Sequence, residues 1–219
     1  MRKIHAITIL SLILSHASFA VTPYSPTPKT MIKIVTKMKS SLFPAGSFIE
    51  QPVTLYRAGG SYCRREEMFD SEDKIHQLLI ANEPDIWMIN LFNHTGEHIV
   101  DRGPTQFFHT YLIPNDFKPP IELKKLEYGT EEAFFTQNHA KPGPKEMIDG
   151  KQSNSLEFNF ETYRLILFTS ADTHLPVELK VFKDSKFLFE THYLEYQPSV
   201  PFKAELFMAP KGIKFTERQ

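Results

Sequence analysis

Few side chains in this sequence are spaced for chemistry. His94, Glu97, His98 and Asp101 bring two imidazoles and two carboxylates into one short stretch, and these are donor types that hold zinc. On a hairpin, however, His94 sits in the turn and His98 opens the next strand, so the spacing alone does not converge the ligands, and the same residues also read as a polar hairpin tip. No metal site is assigned; His94 and His98 stand as the weak candidates. Glu66 and Glu67 are adjacent carboxylates, but neighbours on a strand point to opposite faces and cannot act together on one substrate. Arg64 and Arg65 split in the same way. The one facing inward needs a hydrogen-bond partner or meets a ligand headgroup; the alternative is a surface charge. Gly59-Gly60-Ser61 lacks the glycine after the serine that a nucleophile elbow requires. No phosphate-cradling loop is present, and no Ser, His or Asp stands in a diagnostic context. No catalytic residue and no cofactor is expected.

Aromatic and aliphatic side chains carry more information. The chain has 19 Phe, 8 Tyr and 1 Trp. Around the tryptophan, Trp87, Ile89 and Leu91 fall on one side of an extended segment, and Ile86, Met88 and Phe92 on the other. A sheet with one wet face does not look like that. Either helices cover one face, or that face lines a cavity.

The elements that would position these residues are mostly strands. From Met31, the apolar Ile32, Ile34 and Met38 alternate with Lys33, Lys37 and Lys39, the pattern of a half-buried strand. Residues 51–57 and 62–69 read as strands joined by the turn Ala58-Gly59-Gly60-Ser61. Further strands are expected over 74–81, 86–92 and 97–101. The middle changes texture: 104–115 and 120–138 have helical spacing, with Thr105 as the cap of a helix carrying Phe107, Phe108 and Tyr111, and Thr130 as the cap of one carrying Phe134 and Phe135. Strands return over 155–159, 162–169, 177–183 and 187–197. In 177–183 Val177, Leu179 and Val181 oppose Glu178 and Lys180, which predicts a wet face for the latter two. Pro198 to Pro201 read as a break, and 203–207 as a last short strand. The expected class is mainly β: an antiparallel sheet of about ten strands curled into an open or closed barrel, with short helices in its middle.

Composition bounds the rest. In 219 residues, 41% are hydrophobic and 23% charged, as for a chain that buries a core. Lys and Arg number 25 against 26 Asp and Glu, so there is no basic field for nucleic acid, and none is expected as a partner. A single cysteine, Cys63, rules out a disulfide scaffold within the chain and reads as a buried, inert thiol. Arg2 and Lys3, the apolar run from Ile4 to Leu14, and Ser18-Phe19-Ala20 fit a secretory signal peptide over 1–20, cleaved after Ala20. Residues 21–30 are a proline-bearing extended lead-in, and 31–219 a single domain. The run is too short to span a bilayer, which needs about 20 apolar residues. The expected location is the periplasm.

Three stretches resemble the periplasmic outer-membrane lipoprotein carrier family, the LolA-like superfamily. Leu206-Phe207-Met208-Ala209-Pro210-Lys211-Gly212-Ile213 is similar to its closing motif. Leu79 to Asn90 resembles its strand, turn and Trp-bearing strand, and Arg64-Arg65 fall where it places an early arginine. Two features depart from it. A proline-rich segment and a strand replace the opening amphipathic helix, and Asn82-Glu83-Pro84-Asp85 stands in place of an Asp-Gly turn. The chain therefore resembles a distant member of the family. The resemblance implies an unclosed antiparallel half-barrel with helices lidding the concave face over a hydrophobic cavity. It also implies binding of lipid or lipoprotein acyl chains; envelope membrane proteins are a further candidate partner.

On that reading the cavity is lined by Trp87, Ile89, Leu91, Arg64, Phe107 and Phe108, and residues 104–138 form the lid. Two alternatives stay open: a structural or protein-interaction module of the cell envelope without a ligand, and a metal-dependent hydrolase using the His94 region.

Overall fold

The computed structural model describes residues 27–68, 76–101 and 109–218, without the side chains of Asp116, Glu217 and Arg218. The signal peptide, the first part of the lead-in, and the expected helix with Thr105, Phe107 and Phe108 lie outside the described residues. Thirteen strands among those residues form one open sheet: β1 (Thr30–Ser40), β2 (Val53–Ala58), β3 (Tyr62–Met68), β4 (His76–Asn82), β5 (Asp85–Asn90), β6 (Thr95–Val100), β7 (Lys141–Pro142), β8 (Glu146–Ile148), β9 (Lys151–Phe160), β10 (Tyr163–Ser170), β11 (Pro176–Lys183), β12 (Lys186–Pro201) and β13 (Lys214–Arg218). Their order is β13-β6-β5-β4-β3-β2-β1-β12-β11-β10-β9-β7, with β8 also on β9. The sheet does not close into a barrel.

Two antiparallel meanders build it. β1 to β6 step outward by hairpins in one direction, β9 to β12 return from the other side, and β12 meets β1 at the centre. The chain must therefore cross the sheet twice. Between β6 and β9 it crosses one face, called the front here; between β12 and β13 it passes behind β1 to β6 along the back. Each crossing brings its own apolar side chains. Leu112, Ile113, Phe117, Leu123, Leu126, Tyr128, Phe134 and Phe135 bury themselves on the front against Ile34, Leu55, Cys63, Ala81, Leu165, Leu167, Leu179, Val181 and Phe189. Phe202, Leu206, Phe207, Ile213 and Phe215 pack on the back with Met31, Ala58, Leu78, Ile80 and Ile89. Strand side chains alternate between these two cores, which is why several strands are apolar on both faces.

The crossing over the front is less helical than its spacing predicts. Among its described residues it holds one α-helix, α1 (Glu131–Gln137), and 3₁₀ turns at Asn115–Phe117 and Leu123–Lys125. Pro114, Pro119 and Pro120 remove backbone donors where a longer helix would need them. Thr130 does precede α1, but its side chain does not cap the helix; its hydroxyl donates to the Glu127 carbonyl at 3.1 Å. Phe134 and Phe135 are buried, as the spacing predicts.

Three other expectations change. The stretch from Pro198 to Pro201 does not break β12. Past His192 the strand has left β11 and pairs only with β1, through a register shift opposite Met31 and Lys33, so a missing N–H is tolerated there. Residues 203–207 are not a strand: Ala204–Phe207 form a 3₁₀ turn that packs against β3 and β4. The last strand is β13, which runs parallel to β6. Its close approach uses Gly96, where a Cβ would stand 2.7 Å from the Met88 carbonyl oxygen and 3.1 Å from the Phe215 ring.

Candidate functional site

On the front face, one end of β1 to β3 opens into a largely apolar cleft of about 280 Å³. Its walls come from four places. Thr36 and Met38 rise from β1, Val53 from β2, and Arg65, Glu67 and Met68 from β3. Phe43, Phe48 and Ile49 come from the loop after β1, and Pro114, Phe117 and Tyr128 from the front crossing. Phe43 and Phe48 meet edge to face, with ring centroids 5.7 Å apart. Phe117 stacks on Phe189 at 4.9 Å, which fixes the inner wall to the core. Phe43, Phe48, Ile49 and Met38 are only half-buried, and Met68 is 52% exposed, so the mouth is open and greasy.

The cleft carries one ion pair. Arg65 Nε lies 2.7 Å from Glu67 Oε1, and Nη2 donates to Glu67 Oε2 at 3.0 Å. Burial works against the guanidinium charge, but Glu67 and Tyr128 outweigh it and raise the Arg65 pKa. The pair is closed on itself and offers the cleft no net charge. Tyr128 is buried beside it, hydrogen-bonded to Thr36; burial pushes its phenol above the ordinary value, and Arg65 offsets part of that shift.

Two polar anchors hold the crossing in place. Glu127 is 8% exposed and gathers partners from three directions. Arg57 Nη1 of β2 lies 2.8 Å from Oε2, His109 Nδ1 lies 2.7 Å from Oε1, and the Thr110 N–H donates at 3.2 Å. Arg57 also donates to Thr110 Oγ1 and to the Tyr128 carbonyl, each at 3.2 Å. At the start of α1, the buried Glu131 carboxylate accepts from the Gly129 N–H at 2.9 Å, Tyr193 at 2.8 Å and Tyr196 at 3.3 Å. Burial pushes the Glu131 carboxyl up despite these donors, and it pushes both tyrosine phenols up as well.

The sequence-chosen residues fall mainly on the back face. Trp87, Ile89 and Leu91 belong to the core under the C-terminal crossing. The Trp87 ring stacks on His98 at 5.3 Å and 10°. Arg64 is there too: Nη1 donates to the Leu206 carbonyl at 3.4 Å and Nη2 to Glu66 at 2.9 Å. It thus bridges to a covering segment, one of the roles its sequence position allows. Strand parity puts Arg65, not Arg64, in the cleft. Phe107 and Phe108 lie outside the described residues. His98 is engaged by Asp85 at 2.8 Å, while His94 sits exposed in its turn at φ 56°. The structure does not bring these two histidines into one ligand set. The presumed wet face of β11 also needs correcting. Glu178 is 3% exposed, because Lys180 and His192 close over its carboxylate at 2.8 and 3.1 Å. Cys63 is buried in the front core, and burial pushes its thiol up to about 12.

No protein-family model and no curated protein matches the sequence. Solved structures give likenesses at low identity. A conserved protein of Thermus thermophilus, described as uncharacterized, is 11% identical over 87% of this chain and 91% of that one, with a TM-score of 0.49. MucB, also solved from Pseudomonas aeruginosa in complex with MucA, is 9% identical over 84% of this chain and 59% of its own, with a TM-score of 0.41. A domain from Vibrio parahaemolyticus, provisionally named an outer membrane lipoprotein-sorting protein domain, is 10% identical over 78% of this chain and 85% of its own, with a TM-score of 0.32.

Proposed function

We infer that this chain is a non-enzymatic binding protein of the bacterial envelope that takes an apolar chain, of a lipid or an acylated lipoprotein, into the front-face cleft. The observation that carries this reading is the cleft itself. Phe43, Phe48, Ile49, Met38, Val53 and Phe117 line it, and its one charged group is an internally neutralised pair. At about 280 Å³ it lies at the small end of ligand pockets, near 300 Å³, so it suits part of one chain rather than a whole lipid. Each methylene buried there contributes about 0.8 kcal/mol, so affinity needs no directed polar contact. Because Arg65 is already held by Glu67, the cleft favours an uncharged ester- or amide-linked acyl chain over a free carboxylate.

The test is a titration of the purified protein with a fluorescent acylated lipopeptide and with a fluorescent fatty acid, alongside thermal melts. The lipopeptide is expected to bind, and more tightly than the fatty acid. Phe48→Asp, at a half-buried loop position, is expected to abolish binding in a folded protein. Leu91→Glu, on the opposite face, is expected to leave binding intact. Loss of binding in folded Leu91→Glu with retention in Phe48→Asp would move the ligand to the back face. Failure of every acylated probe to bind would sink the reading.

A further inference from the structure

On the back face, away from the cleft, β11 and β12 place a second group of side chains together. Glu178 and His192 are direct partners across the two strands, and Glu190 lies two residues before His192 on the same face. His192 Nε2 stands 3.1 Å from Glu178 Oε2 and 3.4 Å from Glu190 Oε1, and all three donor atoms lie within 4.8 Å of one another. Zinc bonds of about 2.0–2.1 Å in a tetrahedron put neighbouring donor atoms about 3.3 Å apart, so both histidine contacts already have the required spacing. Among the described residues this is the one group of three or more His, Cys, Asp and Glu side chains close enough to share an ion.

Burial sharpens the case. Glu178 is 3% exposed, and the Glu190 side chain is 16% exposed. Two carboxylates held this close out of water need positive charge between them. Lys180 supplies part of it, 2.8 Å from Glu178 Oε1 and 3.8 Å from Glu146 Oε2, and Lys39 lies 3.8 Å from Glu190. Lys180 holds the Glu178 oxygen that points away from His192, an arrangement that orients the other oxygen, as outer partners of metal ligands do. An approach path exists as well: a depression of about 320 Å³, lined by Lys37, Met38, Lys39, Glu50, Glu190 and His192, adjoins the group and leaves room for a water in a fourth position.

We propose that Glu178, Glu190 and His192 form a binding site for one zinc ion, closed by water and pinning β11 to β12. One histidine with two carboxylates suits zinc better than the hard cations, which take all-oxygen sets.

The experiment uses the chelator-stripped full chain and zinc chloride alone, read by calorimetric titration and by thermal melts. One zinc per chain is expected, with a rise in Tm on saturation. His192→Ala and the isosteric Glu178→Gln are each expected to weaken uptake about tenfold or more and to remove the Tm rise. His98→Ala serves as a histidine control and is expected to bind as the parent does. No uptake by the parent protein at micromolar zinc would overturn the proposal. So would uptake that folded His192→Ala and Glu178→Gln leave unchanged, since the ion would then sit elsewhere.

Discussion

Arg57 reaches from β2 to within 2.8 Å of the Glu127 carboxylate, and so one ion pair ties the sheet to the segment that crosses its front. Its side chains are 16% and 11% exposed, and the same carboxylate takes His109 and the Thr110 N–H. Neither partner can be removed without stranding the other in a place that water reaches poorly.

Arg57→Ala and Glu127→Ala are each expected to lower the unfolding free energy by about 3 kcal/mol, the cost of leaving half of a buried pair. The double variant is expected to cost clearly less than the sum. Equilibrium urea unfolding of the four proteins measures this; simple additivity would show that the two groups do not act as a unit.

Glu131 makes stability depend on pH in a direction unusual for a carboxyl group. Its folded pKa is raised, by burial above all, over an unfolded value of about 4.3. Its contribution is therefore fully present below that value and lost as pH rises through the folded pKa. The groups around it, Tyr128, Tyr193 and Tyr196, have raised phenols and stay protonated across this range. Glu131→Gln is expected to gain on the parent in unfolding free energy as pH rises from the unfolded value of about 4.3 through the raised folded value. A flat or falling difference would contradict the burial account.

Cys63 is expected to resist thiol reagents in the folded protein. It is 1% exposed and its pKa is pushed up to about 12, so reagent access and thiolate are both scarce. Labelling at pH 8 should be slow and should accelerate in proportion to unfolding as urea is added. Rapid labelling without denaturant would place the thiol outside the front core.

Gly96→Ala is expected to loosen β13 from β6. The new methyl would meet the Met88 carbonyl oxygen at 2.7 Å and the Phe215 ring at 3.1 Å. Overpacking of this kind costs about 1–3 kcal/mol. Hydrogen exchange is expected to rise first at the amides of residues 214–218, while those of β10 and β11 keep their protection.

The meanders were legible because hairpins are local. Ala58 to Ser61 supplies a turn between two alternating runs, and the register follows from it. The pattern around Trp87 also told that both faces are covered, but not by what. Parity separates Arg64 from Arg65 without saying which of them lies under the middle segment, and only the path of the two crossings decides that. Phe43 and Phe48 escaped notice because they sit in a loop with no period, where an apolar residue gives no sign of the wall it joins. Glu178 misled because a charged residue alternating with aliphatics looks solvated. Lys180, two residues along the same strand, covers one oxygen, but His192 comes from the next strand, and no local pattern announces it.

The seam at the centre of the sheet joins Thr30 to Pro201 and Ser40 to Phe189. β1 to β6 can zip up from neighbouring hairpins, yet β1 keeps an unpaired edge until a strand from the last fifth of the chain arrives. Long-range pairing of this kind is slow to form, and an open edge is a template for another chain. For a chain that emerges from its N-terminus, the vulnerable interval thus falls between the emergence of β6 and that of β12. A holding chaperone active in that window would matter more to yield than any single contact in the finished fold.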